Sequence, residues 1–436
     1  MPICLYTINE INQYEEEKKE EMVSKIDKIL DSVSERSLFK DKSILQSNYA
    51  PEEIPYRDKE IEQIASILAP ALIGQKTSNL FIYGKTGTGK TLSVQYVRNE
   101  LLKRAKDSEH PLKIEYLNCK LKKIADTEYR ILAELINKLG GEVPATGLPT
   151  DQVYNKFLAL IEEAEEKLFV IILDEIDQAV KKISDNFLYN LTRLNSELGK
   201  TQIILVGISN DLRFLDSLDP RVRSSLSEEE IVFPPYNALQ LQEILKKRSD
   251  NAFKKACVDI SAISKCSAFA AREHGDARRA LDLLRVAGEL AEREGSGKIT
   301  VKHIDDANNK IERDKILDIV ETEPKQFQVV LQAIINLEEN GNKKEQKSLF
   351  KGSENKNKIF TGDVYVEYQK ICKKIGMEML TQRRVGDIIS EFDMLGLINA
   401  TVISKGRYGR TKEIKLSIPD NILGRAKEIL QESLGI

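Results

Sequence analysis

Residues 79 to 92 read NLFIYGKTGTGKTL. Leu80, Phe81, Ile82 and Tyr83 form an apolar run short enough for a buried strand, Gly84, Gly87 and Gly89 follow, and a helical pattern opens at Lys90 and Thr91. Strand, glycine-rich turn and helix in that order make a phosphate cradle. Glycines let backbone N–H groups turn inward around phosphates, Lys90 sets a cation near the outer two, and Thr91 offers a hydroxyl to magnesium. Gly84, Lys85, Thr86, Gly87, Thr88, Gly89, Lys90, Thr91 and Leu92 are therefore the expected nucleotide-contacting residues. No Asn-Lys-x-Asp sequence occurs to read a guanine, so the expected cofactors are ATP or ADP with Mg2+.

Around this stretch lie 436 residues, 41% apolar and 31% charged, a globular balance that suggests two to four domains. No apolar span reaches the length of a membrane helix and the N-terminus lacks the basic lead and apolar core of a secretory signal, so a cytoplasmic protein with no membrane partner is expected. The five cysteines include no C-x-x-C pair and only three histidines occur, which points to neither zinc nor a disulfide framework. Charge is uneven beneath a net of −3. Residues 325 to 436 carry 19 basic against 14 acidic side chains, leaving 47 against 55 for residues 1 to 324. Such a surplus bears on function only if a nucleic-acid-binding pattern shares its segment.

Residues 1–35, with the run EEEKKEE (15 to 21), read as a mobile arm. Ile61, Ile64, Ile67 and Leu68 then recur at helical spacing. Just before them Tyr56 and Arg57 are candidates for the adenine wall, although a helix-entry turn explains them as well. Ile114 to Asn118 reads as a second strand, Ala125 to Leu139 as an amphipathic helix, and Gly140 to Thr150 as a loop. In LFVIILDEID an unbroken apolar run, Leu168 to Leu173, delivers Asp174 and Glu175 to the end of a buried strand, 84 residues beyond Lys90. Asp174 suits holding magnesium through water, together with Thr91, and Glu175 suits polarising the attacking water. A further apolar run, Ile203 to Val206, leads to Asn210, which would orient that water or touch the outer phosphate; an ordinary strand-ending turn is the alternative.

With these motifs, SLDPRVRSSL (217 to 226), HGDARRALDLLR (274 to 285) and TQRRVGDIISEFDMLGLI (381 to 398), the chain resembles the archaeal origin-recognition and cell-division-cycle replication initiators, a family of initiator-type AAA+ ATPases. The resemblance implies that Asn210 is sensor 1 and that Arg278, in a small helical lid, is sensor 2, acting with Glu175 in catalysis and binding the nucleotide. The residues alone allow an exposed arginine near a helix N-terminus, where it gains nothing from the dipole. One departure stands out: where many relatives carry a Ser-Arg pair whose arginine completes a neighbour's site, this chain has Ser224-Ser225, with Arg221 and Arg223 nearby. Slow, switch-like hydrolysis is the corresponding expectation.

The C-terminal segment has a second pattern. Phe327, Val330, Leu331, Ile334 and Ile335 mark one helix, Glu338 to Lys358 a flexible loop, and Val364 to Ile375 a second helix. Thr381 is placed to cap a third, whose Val385, Ile388, Ile389, Phe392 and Leu395 face inward. Leu397 to Ile403 and Glu413 to Ile418 read as strands around the basic tip KGRYGR. Three helices and a hairpin make a winged helix, with Gln382, Arg383 and Arg384 where a recognition helix meets base edges and Lys405, Arg407, Tyr408 and Arg410 on the wing. The basic surplus coincides with this motif, which favours DNA over a protein-binding winged helix.

The expected fold is therefore α/β: an AAA+ P-loop domain with a parallel sheet (36–235), a helical lid (236–316) and a winged-helix domain (317–436). The resemblance implies an ATP-dependent replication initiator, an ATPase whose partners are double-stranded origin DNA, the replicative helicase and related initiator paralogues. The same modules also build transcription regulators, transposition helpers and clamp-loader-like ATPases.

Overall fold

The computed structural model describes residues 37–106, 108–120, 127–144, 146–226, 228–347, 358–404 and 410–436. The arm expected over 1–35 lies outside them. The chain divides into two compact units, Met1–Ala307 and Asn308–Ile436.

In the first unit, strands β1 (Asn79–Tyr83), β2 (Leu112–Asn118), β3 (Leu168–Asp174), β4 (Gln202–Ser209) and β5 (Glu228–Val232) form one parallel sheet in the order β2-β3-β4-β1-β5. Side chains alternate between its faces. Leu80, Ile82, Val170, Ile172, Ile204 and Val206 pack with helices α1 (Asp58–Leu68) and α2 (Lys90–Ala105). Phe81, Phe169, Ile171, Leu173, Ile203 and Leu205 pack on the other side with α3 (Glu128–Lys138), α4 (Thr150–Glu163), α5 (Ile176–Ile183), α6 (Asn186–Glu197) and α7 (Pro220–Leu226). Both faces are covered, which is why β1 and β3 are buried at every position and read as unbroken apolar runs. Each such side chain contributes about 1.5–3 kcal/mol by leaving water.

The helix expected from Ala125 begins at Glu128, where Thr127 caps it by accepting from the Arg130 N–H. It buries Ile131, Leu132, Ala133, Leu135 and Ile136, so its inner face is core. The loop expected up to Thr150 ends where α4 begins, a helix the periodicity reading did not separate.

Three lid helices follow in the same unit: α8 (Ala238–Ala252), α9 (Ile260–Arg272) and α10 (Ala277–Glu294). A reciprocal capping box between Asn237 and Gln240 starts α8, and Asp276 caps α10 by accepting from the Arg278 and Arg279 N–H groups. Residues 37–45, expected with the nucleotide-binding domain, pack on the lid instead. The Lys40 N–H donates to Ala252 O (2.7 Å), the Lys254 N–H to Leu38 O (2.8 Å), and the Leu38 N–H to the Glu292 carboxylate (2.7 Å). Phe39 and Phe253 stack with centroids 4.6 Å apart. The unit boundary falls within α11 (Val301–Thr322).

The second unit holds α12 (Lys325–Lys347), β6 (Ile359–Phe360), α13 (Thr361–Ile375), α14 (Gln382–Met394), β7 (Ile398–Ser404), β8 (Arg410–Leu416) and α15 (Asp420–Leu434), its strands antiparallel in the order β6-β8-β7. Two expectations are corrected. The first helix does not end before Glu338 but runs to Lys347. Its last residues lack apolar periodicity, yet Glu, Lys and Gln are good helix formers. Leu395 does not face inward: it is the C-cap of α14 and 37% exposed, three residues past the end of the stripe of Val385, Ile388, Ile389 and Phe392. Helix α15, not anticipated, packs Ile422, Ala426 and Leu430 into the core.

Candidate nucleotide site and nucleic-acid interface

At the carboxyl ends of β1, β3 and β4, a cavity of about 670 Å³ gathers Lys90, Thr91, Asp174, Glu175, Asn210 and Arg278. Pairing explains the meeting: β1 lies beside β4 with Tyr83 opposite Ser209, so the phosphate loop and Asn210 leave the sheet side by side. Crevices outside the carboxyl ends of parallel strands are where open α/β sheets bind ligands.

The loop is held in a shape that needs glycine. At Gly87, with φ +68°, a Cβ would lie 1.7 Å from Asp276 Oδ1, and at Gly84 one would lie 2.6 Å from Phe233 O. The lid supports the same loop: the Ala277 N–H donates to Gly87 O (3.2 Å) and the Thr86 hydroxyl to Asp276 Oδ2 (3.2 Å). Lys90 Nζ donates to Gly84 O (2.7 Å), Lys85 O (2.9 Å) and Asn210 Oδ1 (2.9 Å). Burial pulls its ammonium down to about 8, against the opposing pull of Asp174. A buried cation ringed by acceptors, with left-handed glycines around it, fits a polyphosphate.

Asp174 is 4% exposed and fully engaged. Its Oδ2 accepts from Thr91 Oγ1 (2.9 Å) and Tyr116 Oη (2.7 Å), and its Oδ1 from the Glu175 N–H (2.9 Å). A hydroxyl and a carboxylate oxygen placed together suit magnesium and its water shell. Burial and the Asp174 charge hold the Tyr116 phenol above its ordinary range, so it stays a donor. Glu175 has φ 55°, a left-handed conformation costing a non-glycine residue about 1–2 kcal/mol. That conformation ends β3 and starts α5 at Ile176, and the Glu175 carboxylate lies 3.6 Å from Lys120 Nζ. Cys119, buried beside these acids, has its thiol pushed up to about 12 by burial.

Other expected residues are placed differently. Tyr56 and Arg57 lie outside the cavity lining, to which Ile44 and residues 46–55 contribute, and Arg57 is the N-cap residue of α1, as the helix-entry alternative has it. Arg57 is buried beneath the phosphate loop instead. Its Nε donates to Thr88 O (2.8 Å), Nη2 to Pro234 O (2.6 Å) and Nη1 to Glu60 (3.2 Å), with the guanidinium 4.0 Å from the Tyr236 ring centre. The Tyr56 hydroxyl turns to Glu243. Sequence reasoning missed Asp177, buried one turn beyond Asp174, whose Oδ1 accepts from Ser209 Oγ and the Asn210 N–H (both 3.3 Å) and so aims Asn210. Its acidic i+3 spacing from Asp174 was the available signal. Arg248 also joins the lining, stacked 4.6 Å from Tyr49.

Near the lid, Arg278 lines the cavity from the first turn of α10, while Ala280, Leu281, Leu284 and Ala287 are buried behind it. On α7, Arg221 pairs with Asp219 (3.1 Å) and Arg223 with Asp216 (3.0 Å); the Ser225 hydroxyl donates to Val222 O.

In the second unit, Thr381 caps α14 by accepting from the Arg384 N–H, and Gln382, Arg383 and Arg384 are exposed in its first turn. Arg384 reaches back to Glu391 (3.7 Å). Lys412 of β8 donates to Gly386 O (3.4 Å) and to the Ser390 hydroxyl, tying β8 to α14. Lys405, Arg407 and Tyr408 lie outside the described residues. Arg410 begins β8.

Family comparison agrees with this geometry. The AAA ATPase domain family matches residues 53–206, the Cdc6 AAA+ ATPase-type lid domain 242–309, and the CDC6 C terminal winged helix domain 318–426. Fold and site thus define an initiator-type AAA+ ATPase. An ORC1-type DNA replication protein of Thermococcus onnurineus is 50% identical over 401 residues, covering 90% of this chain and 92% of that protein. One from Pyrococcus furiosus is 50% identical over 387 residues, covering 88% of each. The structure of the Aeropyrum pernix Orc1 protein in complex with DNA superimposes with a TM-score of 0.77 at 40% identity, covering 90% of this chain and 97% of that one. The chain belongs to the archaeal family of ORC1-type DNA replication proteins.

Proposed function

We propose that this chain is an ATP-dependent replication initiator that binds double-stranded origin DNA and, with related initiators, helps bring the replicative helicase to it. The observation that carries the reading is the half-identity to ORC1-type replication proteins across nine-tenths of the chain. The convergence of Lys90, Asp174, Glu175, Asn210 and Arg278 on one cavity supports it. The proposed division is 36–235 for the nucleotide-binding domain, apart from residues 37–45, which pack on the lid, 236–316 for the lid and 317–436 for the winged helix. No helix among the described residues is long and apolar enough to cross a membrane.

In the nucleotide site, Lys90 and the loop N–H groups would bind the β- and γ-phosphates, and Thr91 and Asp174 would hold Mg2+, which supplies charge neutralisation at the phosphates. Glu175 would accept a proton from the attacking water as the bond to the γ-phosphorus forms, ADP leaving with the bonding pair. Asn210, aimed by Asp177, and Arg278 would contact the outer phosphate from opposite sides. Turnover is expected to be slow, because Ser225 stands where many relatives carry the arginine that completes a neighbour's site. ATP state then works as a switch rather than a motor.

On DNA, the recognition helix divides its labour. Adjacent helical residues point about 100° apart, so Arg383 and Arg384 cannot read the same base edge. Arg384 lies 3.7 Å from Glu391 in a half-exposed pair that a phosphate can displace; we assign the backbone contact to Arg384 and the bonds to guanine O6 and N7 to Arg383. Arg383→Ala is expected to cost about 1–3 kcal/mol on the cognate duplex and much less on a scrambled one. Arg384→Ala should weaken both alike and lower the salt slope by about one unit. Binding isotherms on both duplexes over a salt series test this. Equal losses on both DNAs for both variants would move specificity to DNA shape. Genome-wide mapping of the protein in its host tests the initiator reading, which requires occupancy concentrated where replication begins.

A further inference from the structure

The end of β2 contributes a side chain that the proposed chemistry has not used. Strands β2 and β3 pair with Tyr116 opposite Ile172 and Asn118 opposite Asp174. Because side chains alternate along a strand, Tyr116, Asn118, Ile172 and Asp174 share one sheet face, and a tyrosine two positions back reaches diagonally to the carboxylate. The Tyr116 ring packs half-buried against the cluster holding Val94 and Ile172. Phenylalanine would serve that packing equally. The hydroxyl serves only polar partners: Asn118 on its own strand, and Asp174 Oδ2, to which it donates at 2.7 Å, closer than Thr91 Oγ1 at 2.9 Å.

We propose that Tyr116 is a positioning residue for the metal-holding carboxylate: its phenol fixes Asp174 Oδ2 beside the Thr91 hydroxyl, so that both oxygens face the metal's water shell without rearrangement. The proposal rests on the reading of Thr91 and Asp174 as the magnesium-holding pair. Without the phenol, Oδ2 keeps a single donor, one whose oxygen is also wanted by the metal, and the buried carboxylate gains rotational freedom about χ2. Outer partners of metal-holding carboxylates commonly govern metal affinity in this way.

The test separates metal from nucleotide. ADP affinity is measured calorimetrically for wild type, Tyr116→Phe and Asp174→Asn, in EDTA and across a Mg2+ series, and Mn2+ binding to each ADP complex is followed by electron paramagnetic resonance. Tyr116→Phe is expected to leave the EDTA affinity within about twofold and to raise the Mg2+ and Mn2+ midpoints roughly tenfold. An unchanged or lowered midpoint overturns the proposal. So does a parallel loss of affinity in EDTA, which would mark a merely structural residue. Asp174→Asn keeps the two readings distinguishable: if it retains the wild-type Mg2+ midpoint, the metal role of Asp174 itself has failed, whatever Tyr116 does.

Discussion

Replacing Lys90 with Ala should weaken ATP binding roughly 10- to 100-fold, because the charge-assisted hydrogen bonds it would make to phosphate contribute about 1.5–3 kcal/mol. The side chain is 6% exposed and already surrounded by Gly84 O, Lys85 O and Asn210 Oδ1, so little solvent competes for it and the effect belongs at the upper end. Glu175→Gln should act oppositely on the two observables. Its carboxylate is not among the groups expected to hold phosphate, so ATP stays bound, while loss of the water-activating base lowers turnover by roughly 10²- to 10⁴-fold. Calorimetry and single-turnover hydrolysis on both variants decide it: equal ATP affinity in Lys90→Ala and wild type would sink the site assignment, and undiminished turnover in Glu175→Gln would remove Glu175 from the mechanism.

The second large effect is expected at Arg57, beneath the phosphate loop and outside the cavity lining. Its guanidinium is nearly solvent-free, bonded to Thr88 O and Pro234 O, paired with Glu60, and packed between Phe233 and Tyr236. Truncation to Ala leaves two carbonyls and a carboxylate without their donor and a cavity under the phosphate loop. Removing one partner of a buried charged pair costs about 3–5 kcal/mol. For a unit of this size the melting temperature should fall by on the order of 5–15 °C. ATP affinity should fall as well, since the Thr88 carbonyl is what keeps the loop in register. Scanning calorimetry with and without ATP tests both halves; a melting temperature within a degree of wild type would show that Arg57 is dispensable to the loop.

What could be read from the sequence was what is local. The phosphate loop, Asp174 with Glu175, and the Thr381 cap are contiguous patterns whose chemistry dictates their spacing, and the two strands buried on both faces announce themselves as apolar runs. For Arg57, proximity to β1 is the only local cue to the cavity wall and a helix-entry turn the equal alternative; its contacts at Thr88 and Pro234 are made across 31 and 177 positions. Tyr116 and Asp177 were passed over for the same reason, their partners being set by strand register and by the turn after β3. The end of α12 escaped because residues 338–347 carry no apolar stripe. Helix α15, by contrast, was legible in Ile422, Ala426 and Leu430, and was overlooked once the hairpin had completed the motif.

The placement of β1 between β4 and β5 has a consequence for how the protein is made. Phe81 pairs with Gly207, 126 positions later, and the cavity draws residues from Ile44 to Leu281. A nascent chain therefore carries its phosphate loop long before it has the strand bearing Asn210 or the helix bearing Arg278. Nucleotide stabilises a protein only through the state that binds it, so cellular ATP cannot rescue a partial chain. At translation rates of about 5–20 residues per second, the interval without that help is on the order of ten seconds or more. Until β4 has emerged, β1 and β3 lack the strand that lies between them in the sheet, and the edges they present in the partial chain are open to aggregation.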